Sequence, residues 1–291
     1  KATKLETIYD RIHEVRLRFE ILKRDAEIRY RKQRLAGGDR TVLRKTLEDE
    51  WRQLDEDFAF IAECNEGGEF MAPERIERLQ RIAGQLWLRH FDDRIGLSHD
   101  ESERKARTPA APLPARELLL ADKPEHLVPR DDGGQPFGDN PYGFRIEVPE
   151  YAFNYGELYN LSVARGTLTE EERFKINEHI IQTIMLLNQL PFPRELRRVP
   201  TWAGNHHEKL DGTGYPRRLR RDEMSLTARM MAIADIFEAL TASDRPYKKA
   251  KSVSEALKIM SLMCKDQHID PELFELFLEA GIYKQYAEQG G

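Results

Sequence analysis

The chain opens on apolar side chains spaced in alternating steps of three and four residues. The positions are Leu5, Ile8, Ile12, Val15, Phe19, Leu22 and Ala26. This spacing places the side chains along one stripe of an α-helix and predicts an a/d seam over about three heptads. The Gly37-Gly38-Asp39 turn that follows should end this helix, because paired glycines interrupt regular helical structure.

A second amphipathic stretch runs to Glu66-Gly67-Gly68. Its apolar face contains Leu43, Leu47, Leu54, Phe58 and Ile61, with Trp51 beside them. Together the two stretches predict a long antiparallel helical hairpin at residues 1–70. Two interpretations stay open: the hairpin packs within the chain, or Leu5 to Ala26 form a parallel homodimer with a second chain. Because the chain opens inside a helical pattern, we expect a longer protein with a domain upstream.

Most of the remaining sequence also has helical periodicity. A pattern from Pro73 to Arg104 breaks near Ile95-Gly96-Leu97-Ser98, and the proline-containing stretch 107–150 is irregular. Further helices are predicted over residues 169–190, 194–208, 225–242, 252–265 and 271–280. No alternating strand pattern stands out, so the sequence predicts an all-α fold. We expect a helical-bundle domain at 71–291, with 107–150 as an irregular insertion.

Composition narrows the classes of function. Charged residues make up 33% of the chain and the formal net charge is −5, which gives no overall reason to expect nucleic-acid binding. No apolar run reaches the roughly 18 residues that a membrane span needs. The two cysteines, Cys64 and Cys264, lie far apart in no metal-like spacing, which suits a reducing cytoplasm.

Four residues stand out as candidate ligands of a divalent metal. They are His179, His206, His207 and Asp235. Imidazole and carboxylate groups are ordinary ligands of Fe, Mn, Zn or Ni. Adjacent histidines on a regular helix point about 100° apart, so both reach one centre only near a helix end, and Asp211-Gly212-Thr213-Gly214 follows at once. Asp235 lies in an apolar helical segment, where burial is costly without a cation or a partner Arg or Lys. His179 alone is equally compatible with a surface or satisfied core histidine.

Four successive segments together resemble the HD-GYP phosphodiesterase family. They are RGTLTEEERFKINEHI, HHEKLDGTGYP, ARMMAIADIFEALTASDRPYKK and HIDPELFELFL. The resemblance extends over residues 155–281. It implies an all-α domain with a site for more than one metal ion. It also implies an activity that hydrolyses cyclic di-GMP, a bacterial second messenger, or a related cyclic dinucleotide.

The resemblance carries over to individual residues. It implies that His179, His206 and His207 belong to one metal position and that Asp235 belongs to another. Tyr215 matches the tyrosine of the GYP loop, which here comprises Asp211, Gly212, Gly214, Tyr215 and Pro216. Arg245 and Lys248 match basic residues that hold the phosphates of the ligand, although a solvated loop would also explain them.

One part of the family pattern is missing. The His-Asp pair that precedes the segment at Leu168-Thr169 should fall where this chain reads Val148-Pro149-Glu150-Tyr151, and an earlier histidine is absent near Pro73-Glu74-Arg75. His99-Asp100, expected in a loop, and Asp92-Asp93 come too early to replace the pair. Glu150, Asn154 or Glu157 remain as substitute ligands. Because the family's missing aspartate bridges metals, we expect one metal or none, and weak or no hydrolysis.

The sequence therefore favours a signalling output module with a degenerate metal site and a cyclic dinucleotide as its ligand. Two alternatives remain: an active phosphodiesterase with substitute ligands, or a relay module whose GYP loop contacts a signalling protein. A purely structural helical domain is the least specific interpretation.

Overall fold

The computed structural model describes residues 11–242 and 251–288. The seam residues Leu5 and Ile8 and the candidate phosphate ligands Arg245 and Lys248 lie outside the described residues. Contacts divide the chain into two compact units. The first contains residues up to Asp131 together with Pro149–Arg173, and the second contains Asp132–Val148 together with the chain from Phe174 onward. The domain division at residue 70 stays a prediction.

The first unit begins with the predicted helical hairpin. Helix α1 spans Arg11–Leu35 and helix α2 spans Arg40–Glu66. Gly37 adopts φ +91°, a left-handed conformation that favours glycine, and the side chain of Asp39 accepts a hydrogen bond from the Val42 N–H as the N-cap of α2. The turn residues therefore end one helix and start the next.

The a/d seam of α1 packs inside the chain. Val15 and Phe19 are buried in one cluster with Leu54 and Ile61 of α2, and the indole N–H of Trp51 donates to the Lys23 carbonyl at 3.1 Å. Helix α2 of the same chain therefore packs against the seam, as the interpretation of a hairpin packed within the chain required. The homodimer stays a prediction.

The first unit also contains two small sheets that the sequence analysis missed. After α3 (Pro73–Ala83), the order of elements is β1 (Leu86–Arg89), α4 (His99–Lys105), β2 (Ala115–Leu118), β3 (Leu127–Pro129), β4 (Tyr151–Asn154) and α5 (Glu157–Leu161). Strands β1 and β2 pair antiparallel, as do β3 and β4. Strands of three or four residues are too short to show an alternating pattern. Leu86, predicted helical, follows the break at Gly84 and opens β1 instead.

The helices of the second unit follow the sequence prediction closely. Helix α6 spans Glu170–Asn188, α7 Val199–Gly204, α8 Leu226–Thr241, α9 Val253–Lys265, α10 Pro271–Glu279 and α11 Ile282–Glu288. The helix predicted over 194–208 is instead a 3₁₀ turn at Arg194–Leu196 followed by α7. Pro200, which lacks an N–H, lies in the first turn of α7 and cannot continue an earlier helix. The all-α fold is confirmed.

Two apolar clusters stabilise the second unit. Helices α8, α9 and α10 and the connection between α9 and α10 contribute one cluster, comprising Ile233, Phe237, Ala256, Met260, Ile269, Phe274 and Phe277. In the other, Ile180, Ile181 and Ile184 of α6 pack with Phe144, which belongs to the irregular segment 132–148. That segment is therefore anchored in the unit that contains the candidate site residues.

None of the helices within the described ranges combines the length and the low charge that crossing a membrane requires.

Candidate metal centre

His206 and His207 lie just beyond the end of a helix, where adjacent side chains can turn toward one point. Helix α7 ends at Gly204, and Asn205 has φ −114° and ψ 5°, outside the helical region. The rings of the two histidines have centroids 4.1 Å apart and planes inclined by 44°. The backbone thus provides the helix-end geometry that the sequence required of a shared centre.

Helix α8 places Asp235 beside the two histidines. One possible ligand atom from each of His206, His207 and Asp235 lies within 4.8 Å of the others. The closest carboxylate oxygen of Asp235 is 3.8 Å from Nδ1 of His207. Within the described part of the chain, no Arg or Lys pairs with Asp235.

Asp235 is less buried than its apolar surroundings in the sequence suggested. Its side chain is 43% exposed, because Ala232, Ile233 and Phe237 form the buried face of α8 and Asp235 lies beside that face. Because Asp235 is only partly buried, the cost that full burial would carry does not arise here. A partly exposed carboxylate next to two imidazoles remains available as a ligand.

His179 reaches the same cluster from helix α6. Its Nε2 lies 3.2 Å from Nε2 of His207, and the two rings meet edge to face with centroids 5.2 Å apart. Its neighbours Ile180 and Ile181 are buried in the core, whereas His179 itself is exposed. The structure therefore brings all four predicted residues together, with His179 joined to the group through His207.

Backbone carbonyls set the protonation of two of the rings. Nδ1 of His206 lies 2.7 Å from the Ala203 carbonyl, and Nδ1 of His179 contacts the Ile176 carbonyl. A carbonyl oxygen only accepts, so each Nδ1 donates its hydrogen. Nε2 then carries the lone pair in both rings, which is how metal-binding histidines are commonly oriented; in His179 that lone pair faces Nε2 of His207.

The surroundings keep the third ring neutral. Burial, together with the neighbouring His206 and His179, lowers the pKa of His207 to about 4, and Asp235 opposes this shift. Neutral imidazole is the form that binds a metal. Burial, with a contribution from Asp235, also raises the pKa of Tyr215 to about 12, so the phenol keeps its proton.

The GYP loop is held in one conformation by short-range contacts. The Asp211 carboxylate accepts from the N–H and the hydroxyl of Thr213, both at 2.8 Å, and Gly212 has φ +82°. A Cβ on Gly214 would lie 2.3 Å from the backbone nitrogen of Lys209, so only glycine fits. Tyr215 stacks on His207, and the Pro216 carbonyl accepts from the Arg145 N–H at 2.7 Å. The loop packs directly against a candidate ligand.

Two buried polar residues flank the histidine pair and were not predicted from the sequence. Asn205 and Glu208 are each 1% exposed. The Glu208 carboxylate accepts from the backbone N–H groups of Arg217 and Leu219 at 2.6 and 2.9 Å. Burial raises the pKa of Glu208, and these donors oppose that shift. The position of Glu208 directly after the two histidines is the sequence signal that could have identified it.

The other candidate metal ligands belong to the first unit. His99 and Asp100 occupy the first turn of α4 rather than a loop, because Ser98 caps that helix, and the His99 side chain is 83% exposed. Both carboxylate oxygens of Glu157 accept from Arg18 at 2.8 Å. The Asn154 amide oxygen accepts from the Gly156 N–H at 2.9 Å.

The donor set suits a divalent transition metal. Three imidazole nitrogens and one carboxylate match the ligand preferences of Fe, Mn, Zn and Ni. Two of the rings are oriented by backbone carbonyls and the third stacks on Tyr215. The residues present therefore fit a metal ion, and this fit follows from their chemistry and arrangement.

Comparison with known proteins agrees with this architecture. The HD domain family matches residues 117–273, which is more than half of the chain. A 3'3'-cGAMP-specific phosphodiesterase of Vibrio cholerae is 44% identical over 117 residues, covering 40% of this chain and 24% of the relative. A cyclic di-GMP phosphodiesterase of Pseudomonas aeruginosa is 48% identical over 80 residues, covering 27% and 19% respectively. A cyclic di-GMP phosphodiesterase of Thermotoga maritima is 34% identical over 114 residues, covering 39% and 30%.

The chain thus spans at most 30% of the length of these relatives. The family match extends over β2 to α10 and includes all four candidate ligands. The chain belongs to the HD domain family, and its segment 206–216 is of the HD-GYP type.

Proposed function

We propose that this chain is an HD-GYP-type signalling module that binds one divalent metal ion through His179, His206, His207 and Asp235. The observation that carries the proposal is the grouping of His206, His207 and Asp235 within 4.8 Å of one another, with Nε2 of His179 lying 3.2 Å from Nε2 of His207. Three imidazole nitrogens and one carboxylate are a donor set that suits a divalent cation. Fe, Mn, Zn and Ni all suit the donors.

The ligand we propose is a cyclic dinucleotide, with cyclic di-GMP first. Support comes from the relatives, which are named as phosphodiesterases of cyclic di-GMP or of 3'3'-cGAMP. In this proposal Tyr215 lies beside the bound ligand, and Arg245 and Lys248 hold its phosphates. Guanidinium and ammonium groups neutralise phosphate charge and donate hydrogen bonds to its oxygens.

We further propose that hydrolysis is weak or absent. A bound metal ion would supply a water of lowered pKa and neutralise charge on the phosphoryl oxygens. The protein contributes His206 and His179 as oriented ligands, but the His-Asp pair of the family is missing at Val148-Pro149-Glu150-Tyr151. Each 1.4 kcal/mol of lost transition-state stabilisation slows the reaction about tenfold. Binding should suffer less than turnover.

Three measurements on the purified protein test the proposal. Metal content, cyclic dinucleotide binding and cyclic di-GMP hydrolysis are compared for the unchanged chain, for His206→Ala, and for His99→Ala as a control on an exposed histidine. We expect about one metal ion per chain, lost in His206→Ala alone, together with measurable dinucleotide binding and little turnover. Robust hydrolysis abolished by His206→Ala would show that substitute ligands complete the site. Failure to bind any cyclic dinucleotide would favour the relay interpretation.

The substitute-ligand alternative has little support from Glu157. Its carboxylate is already paired with Arg18 and also accepts from the Ala121 N–H at 2.9 Å. Glu150 stays a candidate, since its one described partner is the hydroxyl of Tyr151. We also keep the proposal that a signalling protein contacts the GYP loop. Tyr215 would offer such a partner only part of its surface, because it is partly buried in the core beside α6.

We also propose a homodimer through the N-terminal helix, in a cytoplasmic protein. The cysteines Cys64 and Cys264 are free, which is consistent with a reducing compartment. On α1, Leu17 and Ile28 are 48% and 49% exposed and lie 11 residues apart, which places them on one face beside the occupied seam. Light scattering should give twice the 34.0 kDa of one chain, and a monomer at high concentration would remove the dimer.

A further inference from the structure

The histidine pair is bracketed by two buried polar residues. Asn205 directly precedes His206, and Glu208 directly follows His207; both are 1% exposed. A buried amide or carboxylate without a partner is strongly destabilising, so the groups that bind these two residues determine the backbone on either side of the pair.

One residue binds both flanks. Nη1 of Arg217 donates to Oδ1 of Asn205 at 3.2 Å, and the backbone N–H of Arg217 donates to Oε1 of Glu208 at 2.6 Å. The two contacts use different parts of the same residue, and they meet the chain immediately before and immediately after the two candidate ligands. Arg217 therefore closes a short ring of hydrogen bonds around His206 and His207.

The irregular segment 132–148 in turn holds the arginine. Nε of Arg217 donates to the Tyr142 carbonyl at 2.9 Å, and its guanidinium lies 6.0 Å from the centre of the Phe144 ring. Phe144 is 5% exposed and is packed in the core with Ile180 and Ile184 of α6. The Arg145 N–H also donates to the Pro216 carbonyl, one residue before Arg217. The segment thus fixes both the side chain and the backbone of this part of the loop.

The chemistry of the arginine explains why this arrangement needs it. A guanidinium is planar and presents several N–H donors in fixed directions, so it can bind the Tyr142 carbonyl and the Asn205 amide oxygen at once while its face covers an aromatic ring. A lysine ammonium is a point charge on a flexible stem and does not combine these contacts.

We propose that Arg217 is a positioning residue for the metal centre, and that segment 132–148 acts through it to keep His206 and His207 pointing at one ion. The inference rests on the proposed metal function. It assigns a role to part of the irregular insertion, whose residues contribute no ligand to the described cluster. Residues that orient metal ligands typically change metal affinity about 10- to 100-fold when they are replaced.

The test uses Co²⁺, whose visible absorption reports the number and geometry of its ligands. The full chain is titrated with Co²⁺ as the unchanged protein, as Arg217→Ala and as Arg217→Lys. We expect Arg217→Ala to weaken Co²⁺ binding about 10- to 100-fold and to alter the spectrum, with a smaller change for Arg217→Lys. Thermal unfolding of the metal-free proteins shows which variants are folded.

The matched control is Arg218→Ala, at the next position. The Arg218 guanidinium pairs with Glu147 of the same segment at 2.8 Å, but the two side chains are 47% and 90% exposed and contact neither Asn205 nor Glu208. We expect this variant to bind Co²⁺ with the affinity and spectrum of the unchanged protein. An equal loss in Arg217→Ala and Arg218→Ala would overturn the inference, since it would show a general weakening of the loop.

A double-mutant cycle with Asn205→Leu tests whether Arg217 affects Co²⁺ binding through its contact with Asn205. If Arg217 acts through Asn205, Arg217→Ala should add little loss of Co²⁺ affinity to Asn205→Leu. Additive losses would overturn the inference, as would a folded Arg217→Lys or Arg217→Ala protein that binds Co²⁺ normally. If the unchanged protein binds no Co²⁺, the proposed metal function is wrong. That result differs from normal Co²⁺ binding by the Arg217 variants, which would contradict only the role of Arg217.

Discussion

The ring of Tyr215 lies on the ring of His207, with centroids 4.9 Å apart and planes inclined by 21°. The tyrosine also packs on the apolar cluster formed by Ile180, Ile181 and Ile184. Tyr215 therefore connects the core of the second unit to a candidate metal ligand. This contact gives the GYP loop a supporting role that is separate from any contact with a bound nucleotide.

Replacing Tyr215 should distinguish its ring from its hydroxyl. Tyr215→Ala removes the stacked ring and should lower the free energy of unfolding by about 3 kcal/mol, with weaker metal binding. Tyr215→Phe keeps the stacking and should change both quantities little, because the structure gives the hydroxyl no hydrogen-bond partner among the described residues. Chemical denaturation and metal titration measure the two effects. Equal losses in both variants would contradict this assignment.

Gly214 should tolerate no side chain. A Cβ at this position would lie 2.3 Å from the Lys209 nitrogen and 2.5 Å from Cα of Glu208, and both are backbone atoms that cannot move independently. We expect Gly214→Ala to lower the free energy of unfolding by about 2 kcal/mol or more. Gly68→Ala is the control, since nothing lies within 4 Å of its added Cβ. Similar unfolding midpoints for the two variants would show that the loop adapts.

Gly204 and Ile184 should be coupled in a double-mutant cycle. A Cβ on Gly204 would lie 2.5 Å from Cγ1 of Ile184, which is fully buried. Gly204→Ala should therefore destabilise the chain by about 1–3 kcal/mol. In an Ile184→Ala background the added Cβ has room. Gly204→Ala should then change the free energy of unfolding little or raise it. Denaturant unfolding of the four proteins gives the coupling energy, and strict additivity would argue against the contact.

The stability of the first unit should depend on pH through Glu157. Burial raises the pKa of this carboxyl, but the hydrogen bonds and charge of Arg18 outweigh burial and leave the pKa below its ordinary value of 4.5. Below that ordinary value the unfolded chain takes up a proton more readily than the folded chain. The pair therefore stabilises the fold fully above this range, and the stabilisation is lost as the pH falls through the folded-state pKa.

We expect the thermal midpoint of the unchanged protein to fall more steeply than that of Glu157→Gln as the pH falls below about 5, where the unfolded chain begins to take up the proton. At neutral pH the variant should lose about 3 kcal/mol, because Arg18 is then buried without its partner. Asp49→Asn provides the control, since Asp49 pairs with Arg52 at a surface where the side chains are 50% and 65% exposed. If the thermal midpoints of all three proteins fall equally steeply in acid, Glu157 is not the source of the pH dependence.

Local patterns in the sequence were sufficient to place most helices. The boundaries of α2, α6, α8, α9 and α10 fall within a few residues of those predicted. These boundaries could be predicted because apolar periodicity and capping residues such as Asp39 and Ser225 act over a few neighbouring positions. The strands were missed because pairing partners such as Leu86 and Leu118 are distant in sequence, and their short segments contain no pattern of their own.

For the site, the sequence by itself determined the ligand types and the helix end that lets His206 and His207 face one point. Only the tertiary structure decided that Asp235 is partly exposed, that His179 meets His207, and that the hairpin seam is filled by α2. The ring of contacts through Arg217 was equally invisible in the sequence, because it joins Tyr142 and Asn205, 63 residues apart. Such contacts depend on packing between distant segments, which local propensity does not specify.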